Sequence, residues 1–133
     1  MSVTHSPKFL RTVLLIDAAT CVATGLLMAV DADMLAGLTA IPGPLLRYAG
    51  ISLFPVAIFI ALVGTRDSLS PPAVWVVIIG NALWVAGSAL LLLGGLIAPN
   101  ALGYVFIAVQ AAAVAVLAEL EYFGLRRTLA VAQ

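Results

Sequence analysis

The chain has 133 residues, of which 64% are hydrophobic and 9% are charged, and its formal net charge is zero. A water-soluble core of this length cannot enclose so much apolar surface, and the neutral charge balance gives no reason to expect a nucleic-acid partner. A single cysteine excludes an internal disulfide, and His5, the only histidine, excludes a metal or haem centre with several histidine ligands. No metal site is predicted.

Four apolar stretches follow one another along the chain, at about 9–30, 45–64, 73–97 and 101–123. Each reaches the length of about 20 residues that a helix needs to cross the hydrocarbon of a bilayer. Apolar and polar residues do not alternate within them, which favours helices over the strands of a barrel. The sequence therefore predicts an all-α fold, a polytopic membrane four-helix bundle that occupies residues 1–133 as a single domain.

The two halves of the chain show a weak internal similarity. A shift of 64 positions brings Asp17 onto Asn81 and Thr24 onto Ser88. This alignment predicts two repeated helical hairpins, related by an axis along the membrane normal. Chance agreement within a chain rich in alanine and leucine is the alternative, and the sequence leaves both open.

The distribution of charge predicts the orientation of the helices. Basic residues precede the first stretch, follow the second and follow the fourth, whereas the opposite loops carry Asp31 and Asp33 or no charge at all. Because cationic residues are retained on the cytoplasmic face, both termini are predicted to be cytoplasmic.

Ion pairs are expected at both membrane surfaces. Arg47, near the start of the second stretch, is predicted to pair with Asp31 or Asp33 on the outer face. Glu119 and Glu121 lie near the predicted end of the last helix, where an acid opposes the helix dipole. They are expected to form an interfacial network with basic residues of the same face, among them Arg66 and Arg126.

Polar residues also lie deep within the predicted spans. Asp17, Asn81 and Gln110 approach the middle of the bilayer, where an aspartate costs about 2.5–3.5 kcal/mol to insert. Such a residue must face the bundle interior, hold a proton or have a partner. Residues on the same helix faces complete a candidate ligand or proton site: Asp17, Thr24, Asn81, Trp84, Ser88 and Gln110.

Two interpretations of these polar residues stay open. They form either a proton-titrating or ligand-binding site, or an interhelical clamp whose hydrogen bonds contribute about 0.6 kcal/mol each. We expect first a non-enzymatic accessory or scaffold subunit, which packs in a homo-oligomer or against a membrane-protein partner. The glycines at 80, 87 and 94 recur at seven-residue spacing and suggest close helix packing.

The alternative function is a small transporter or ligand-binding membrane protein that uses Asp17. An enzyme acting on a lipid or quinone is the least supported function, because no nucleophile–base pair is present. No catalytic residues and no cofactor are therefore predicted, and a bound lipid is the only accessory molecule expected.

Several short tracts of the second half resemble those of small bacterial four-helix integral membrane proteins with no assigned activity. The resemblance covers most of the chain and implies a location in the bacterial inner membrane, but it supplies no catalytic residues. The tracts are Gly80-Asn81-Ala82-Leu83-Trp84, Gly103-Tyr104, Gln110-Ala111, Ala118-Glu119-Leu120-Glu121-Tyr122 and Gly124-Leu125-Arg126-Arg127.

Overall fold

The computed structural model describes residues 8–132, and within this range every regular element is an α-helix. Residues 1–7, which include His5, and residue 133 lie outside the described part. The elements in chain order are α1 (Lys8–Val30), α2 (Ala32–Thr39), α3 (Gly43–Thr65), α4 (Pro71–Leu93) and α5 (Ala101–Ala132). The four long helices form the predicted all-α bundle, and α2 is a short helix at one end.

The boundaries of α1 and α3 lie within two residues of those predicted, whereas α4 and α5 differ more. α4 ends at Leu93 instead of continuing to residue 97, because two glycines follow it and Gly95 adopts a φ of 69°. α5 continues to Ala132, nine residues beyond its predicted end. This extension changes the position of every acidic and basic residue on α5 relative to the helix end.

The bundle consists of two helical hairpins. α1 packs along α3 and α4 packs along α5, while α1 also contacts α5 and thereby joins the two hairpins. α3 and α4 barely touch each other, so a cleft remains between them. This pairing agrees with a two-hairpin architecture, and the common origin of the hairpins stays a prediction.

The α1–α3 pair is held at close range by two glycines. A Cβ on Gly25 would lie 2.9 Å from the Gly50 carbonyl oxygen, and a Cβ on Gly50 would lie 2.7 Å from the Ala29 backbone nitrogen. No other residue fits at this crossing without displacing backbone. The glycines that the sequence suggested as a packing seam behave differently, because Gly80 and Gly87 have no neighbouring atom within 4 Å of the Cβ position.

Two arginines bind the carboxyl-terminal turns of the opposite helix in this pair. The Arg11 guanidinium of α1 donates to the carbonyl oxygens of Gly64, Arg66 and Asp67 at the end of α3. Arg47 of α3 reaches the Ala29 carbonyl oxygen near the end of α1. Terminal carbonyls have no partner within their own helix, and a cation also complements the helix dipole there.

Large apolar side chains cover the outer surface of the bundle. Leucines such as Leu83, Leu90 and Leu93 are mostly exposed, and exposed isoleucines and valines extend this surface over all four long helices. α1, α3, α4 and α5 are each long and apolar enough to cross a membrane. Lipid is the environment in which such a surface is stable.

Candidate functional site

The centre of the bundle holds two buried carboxyl groups that share one amide. The side-chain nitrogen of Asn81 donates to Asp17 Oδ2 at 2.8 Å and to Glu121 Oε1 at 2.9 Å. The Cys21 thiol, one turn after Asp17, lies 3.7 Å from Asp17 Oδ1. We call Asp17, Cys21, Asn81 and Glu121 the carboxyl cluster. α1, α4 and α5 each contribute to it, so the cluster ties the two hairpins together.

The cluster is removed from solvent and has no basic partner. Asp17 is 1% exposed and Glu121 is fully buried, and Glu121 Oε2 has no hydrogen-bond partner. Within residues 8–130, no lysine or arginine side chain pairs with either acid. Both carboxyls accept from the same Asn81 side-chain nitrogen, so they lie close to each other. Two adjacent carboxylates are not both stable in a low-dielectric interior, so the pair holds at least one proton.

The position of Glu121 corrects the prediction that it joins an interfacial ion-pair network. The sequence placed it at the end of a helix, but α5 continues for 11 more residues, about 17 Å at 1.5 Å per residue. Beyond Glu121, Leu125 and Thr128 are buried as well, which shows that α5 still packs on the bundle there. The spacing of these three residues at i, i+4 and i+7 is the sequence signal that identifies the buried face.

A second polar group lies further along α4 and α5. The Trp84 indole N–H donates to Gln110 Oε1 at 2.6 Å, and Gln110 Nε2 donates to Ser88 Oγ at 3.0 Å and to the Ile107 carbonyl oxygen at 2.9 Å. Ser88 in turn donates to the Trp84 carbonyl oxygen. Three of the six predicted site residues thus form one connected group, and Asp17 and Asn81 form the core of another.

A cavity of about 410 Å³ connects the two polar groups. Asp17, Cys21 and Asn81 of the carboxyl cluster line it, as do Trp84 and Gln110. The rest of its wall is almost entirely apolar. Thr24, the sixth predicted residue, also lines it, together with Thr20. The structure therefore places Thr24 at the cavity but not in hydrogen-bond contact with the carboxyl cluster.

The cavity opens sideways, toward the region that lipid would occupy. Val56 and Phe59 of α3 and Val76 of α4 line it, and all three are also exposed on the outer surface of the bundle. The opening lies where α3 and α4 fail to pack against each other. The cavity is therefore accessible from the apolar outer surface of the bundle.

A smaller cavity of about 270 Å³ lies beyond Trp84 and Gln110. Met28, near the end of α1, and Leu45, near the start of α3, line it, so it lies toward the α2 end of the bundle. Trp84 and Gln110 border both cavities. This hydrogen-bonded pair is thus common to the walls of both cavities.

Only some of the residues predicted to form interfacial ion pairs do so in the structure. Arg47 and Asp33 form an ion pair of 3.5 Å between nitrogen and oxygen, and the Asp33 side chain is 90% exposed. Within the described range, no ion pair forms at Asp31, Glu119, Arg66 or Arg126. The Arg126 guanidinium instead lies over the Tyr122 ring, 5.7 Å from its centroid.

Cys21 and Arg11 take part in contacts that the predicted site did not include. Cys21 follows Asp17 by four residues, and this spacing on a helix is the signal that places the two side chains together. No local sequence pattern predicts that Arg11 contacts the end of α3, because this contact depends on the register of the α1–α3 pair.

Fold and site together define a multi-pass integral membrane protein with a polar site inside its helical bundle. No family model, curated protein or solved structure matches the chain. The function is therefore inferred from the geometry of the site.

Proposed function

We propose that this protein is a membrane-embedded binding protein for small apolar or amphiphilic molecules, which enter from the lipid between α3 and α4. One observation carries this proposal. Asp17, held by Asn81 and close to Glu121, borders an apolar cavity that opens toward the membrane. A concave apolar site of about 300–1,000 Å³ with a few convergent polar groups is typical of small-molecule binding.

An interhelical clamp explains less of this arrangement. A clamp requires only the Asp17–Asn81 hydrogen bond, whereas a second buried carboxyl adds desolvation cost without adding a donor. Well-packed apolar residues would join the helices at lower cost. Ionisable groups that persist inside a membrane bundle usually serve a function.

The glycines of α4 support the same proposal. Gly80 lines the larger cavity and Gly87 lines the smaller one, and a Cβ at either position would have no neighbouring atom within 4 Å. The absence of side chains at these positions creates space where the sequence suggested close packing.

A second candidate is the predicted accessory or scaffold role, with a second copy of this chain as the partner. Its support is the uneven coverage of the spans. Of the apolar windows of α1 and α3, 39% and 33% are buried, but only 17% of those of α4 and α5. Native mass spectrometry in a gentle detergent tests this candidate, and a uniform monomer without a bound polypeptide would contradict it.

The binding proposal is tested with the fluorescence of Trp84. A Trp75→Phe background removes the only other tryptophan, and 1-bromoadamantane serves as a neutral probe whose bromine quenches indole emission. In nanodiscs of zwitterionic lipid, we expect saturable quenching of Trp84 above the linear quenching by probe dissolved in lipid.

A matched pair of variants assigns the quenching to the larger cavity. Gly80→Leu adds a side chain to that cavity, and Gly87→Leu adds the same side chain to the smaller cavity. A Cβ at either position has no neighbouring atom within 4 Å, so both variants are expected to fold. Gly80→Leu should remove the saturable component and Gly87→Leu should retain it. Linear quenching in the parent protein would refute the binding proposal.

A further inference from the structure

The hydrogen-bond donors around the larger cavity are almost all committed to acceptors of the protein. The Asn81 side-chain nitrogen donates to two carboxyls, and the Trp84 N–H donates to Gln110. The Gln110 side-chain nitrogen donates to Ser88 and to a backbone carbonyl. The Cys21 thiol points to Asp17. Among the side chains described along this wall, only the Thr24 hydroxyl retains a free donor.

Acceptors, in contrast, remain available. Asp17 lines the cavity, and its Oδ1 receives only the weak thiol donor at 3.7 Å. Both hydrogen bonds of Asn81 use its nitrogen, which leaves its Oδ1 available as well. A ligand that reaches this end of the cavity meets acceptors and no strong donor. It is therefore bound best if it brings donors of its own.

The charge of the cluster favours a cationic ligand. The titratable groups that face Asp17 are Cys21 from α1 and Glu121 from α5, whereas α3 and α4 contribute no titratable side chain to the cavity. Nothing in this wall carries positive charge to balance a carboxylate. In a low-dielectric site, an ion pair with hydrogen bonds is far stronger than a neutral contact.

The lining of the cavity indicates that the part of the ligand away from its charge is apolar. Its wall is apolar, and it opens to lipid beside Val56 and Val76. Trp84 also lines the cavity, and its ring adds an aromatic surface for a cation. Residues 8–130 place no three histidine, cysteine, aspartate or glutamate side chains where they would hold a metal ion.

We infer that the ligand is a lipophilic monocation with N–H donors, a protonated amine, whose ammonium group binds Asp17 in exchange for a proton. This inference rests on the proposed binding function and names its ligand class. One ammonium enters the cavity as one proton leaves the Asp17–Glu121 pair for water, so the net charge inside the site is the same before and after binding. No electrons are transferred and no covalent bond to carbon or nitrogen changes.

The test compares four probes that share one apolar skeleton: 1-adamantylamine, 1-adamantanol, 1-adamantanecarboxylate and the N,N,N-trimethyl derivative of the amine. Each competes with 1-bromoadamantane for Trp84 in the Trp75→Phe background, in zwitterionic nanodiscs at pH 7.5. Differences in lipid partitioning cancel when each probe is compared between the parent protein and its Asp17→Asn variant.

We expect Asp17→Asn to weaken competition by the primary amine about tenfold or more, a loss of about 1.4 kcal/mol per decade. The alcohol should change by less than about twofold, and the carboxylate should not compete in either protein. The quaternary derivative, which has no N–H, should compete about tenfold less well than the primary amine. Equal effects of Asp17→Asn on amine and alcohol would overturn the inference, and so would equal competition by the quaternary derivative.

A second measurement needs no variant. Titration calorimetry of the parent protein in buffers of different ionisation enthalpy should report about one proton released per bound amine and none per bound alcohol. Amine binding without proton release would refute the exchange. Saturable 1-bromoadamantane quenching without an amine preference would refute only the ligand class, whereas linear quenching would refute the binding function itself.

Discussion

Asp17 and Asn81 lie 64 positions apart in the chain and are joined by a hydrogen bond of 2.8 Å at the contact between the two hairpins. They are also the residues that a shift of the chain by 64 positions brings into register. Corresponding positions of two hairpins related by a central axis approach each other when they lie near that axis. The predicted repeat would therefore place the Asp17–Asn81 contact close to its axis.

Replacing Asn81 by leucine should destabilise the protein, because both buried carboxyls lose their common donor. Each unsatisfied buried group costs about 1–3 kcal/mol. Thermal unfolding in detergent should show a clearly lower midpoint for Asn81→Leu. Ser88→Ala, which removes a hydroxyl from the other polar group of α4, is the control and should shift the midpoint less. Equal shifts would show that the carboxyl cluster has no special role in stability.

Glu121 and Glu119 form a matched pair on α5, since one is fully buried and the other is exposed. Glu121→Ala should lower the free energy of unfolding by about 2–4 kcal/mol, because it leaves a cavity and removes an acceptor from Asn81. Glu119→Ala should change it by less than about 0.5 kcal/mol. Equilibrium unfolding of both variants in mixed micelles measures the difference. A larger loss for Glu119→Ala would mean that the face of α5 with Glu119, and not the face with Glu121, packs against the bundle.

These residues show what could be predicted from the sequence. Span number and the depth of Asp17 follow from composition and helix geometry, because a lipid-facing surface demands long apolar runs. The end of α5 does not follow from composition. The sequence predicts that the last span ends before Arg126, because a charged residue marks the edge of an apolar stretch. In the structure the Arg126 side chain lies over the Tyr122 ring, outside the apolar core, and the helix continues beyond it.

The cavity could not be predicted from the sequence either. It exists because α3 and α4 diverge, and the distance between two helices depends on contacts spread over the whole bundle. Small residues at Gly80 and Gly87 are compatible with either a tight interface or a space. The pairing of Trp84 with Gln110 likewise depends on the register between α4 and α5, which no local pattern determines.

Gly50 should tolerate no side chain. An alanine there would place its Cβ 2.8 Å from the Met28 Cβ and 2.7 Å from the Ala29 backbone nitrogen, so α1 and α3 would have to separate. We expect Gly50→Ala to cost about 1–3 kcal/mol, as in other overpacked sites. Gly37→Ala is the control, because nothing lies within 4 Å of its Cβ position and alanine favours the α2 helix. A stable Gly50→Ala variant would contradict the described crossing of α1 and α3.

The Trp84–Gln110 hydrogen bond should fix the orientation of the Trp84 ring. Gln110→Leu removes the acceptor of the indole N–H and should cost about 1–3 kcal/mol, because that donor is left unpaired. In the Trp75→Phe background, Trp84 should also show lower fluorescence anisotropy, since its ring loses its fixed orientation. Ser88→Ala, which leaves the bond from Trp84 to Gln110 intact, should preserve the anisotropy. Unchanged anisotropy in Gln110→Leu would show that packing alone holds the ring.

Arg11 should stabilise the end of α3 that lies opposite Arg47. Its guanidinium donates to three backbone carbonyls that have no helical partner. Hydrogen bonds to charged groups contribute about 1.5–3 kcal/mol each, and less where solvent screens the charge, as it does for two of these three. Arg11→Ala should therefore lower the free energy of unfolding by about 1–3 kcal/mol. Arg11→Lys should recover only part of this loss, because an ammonium lacks the planar fork that reaches several carbonyls at once.

Arg66→Ala removes an exposed cation from the same end of the molecule and is the control for net charge. Hydrogen exchange at the last turn of α3 should increase in Arg11→Ala and stay unchanged in Arg66→Ala, and equal exchange in the two variants would assign the effect to charge alone.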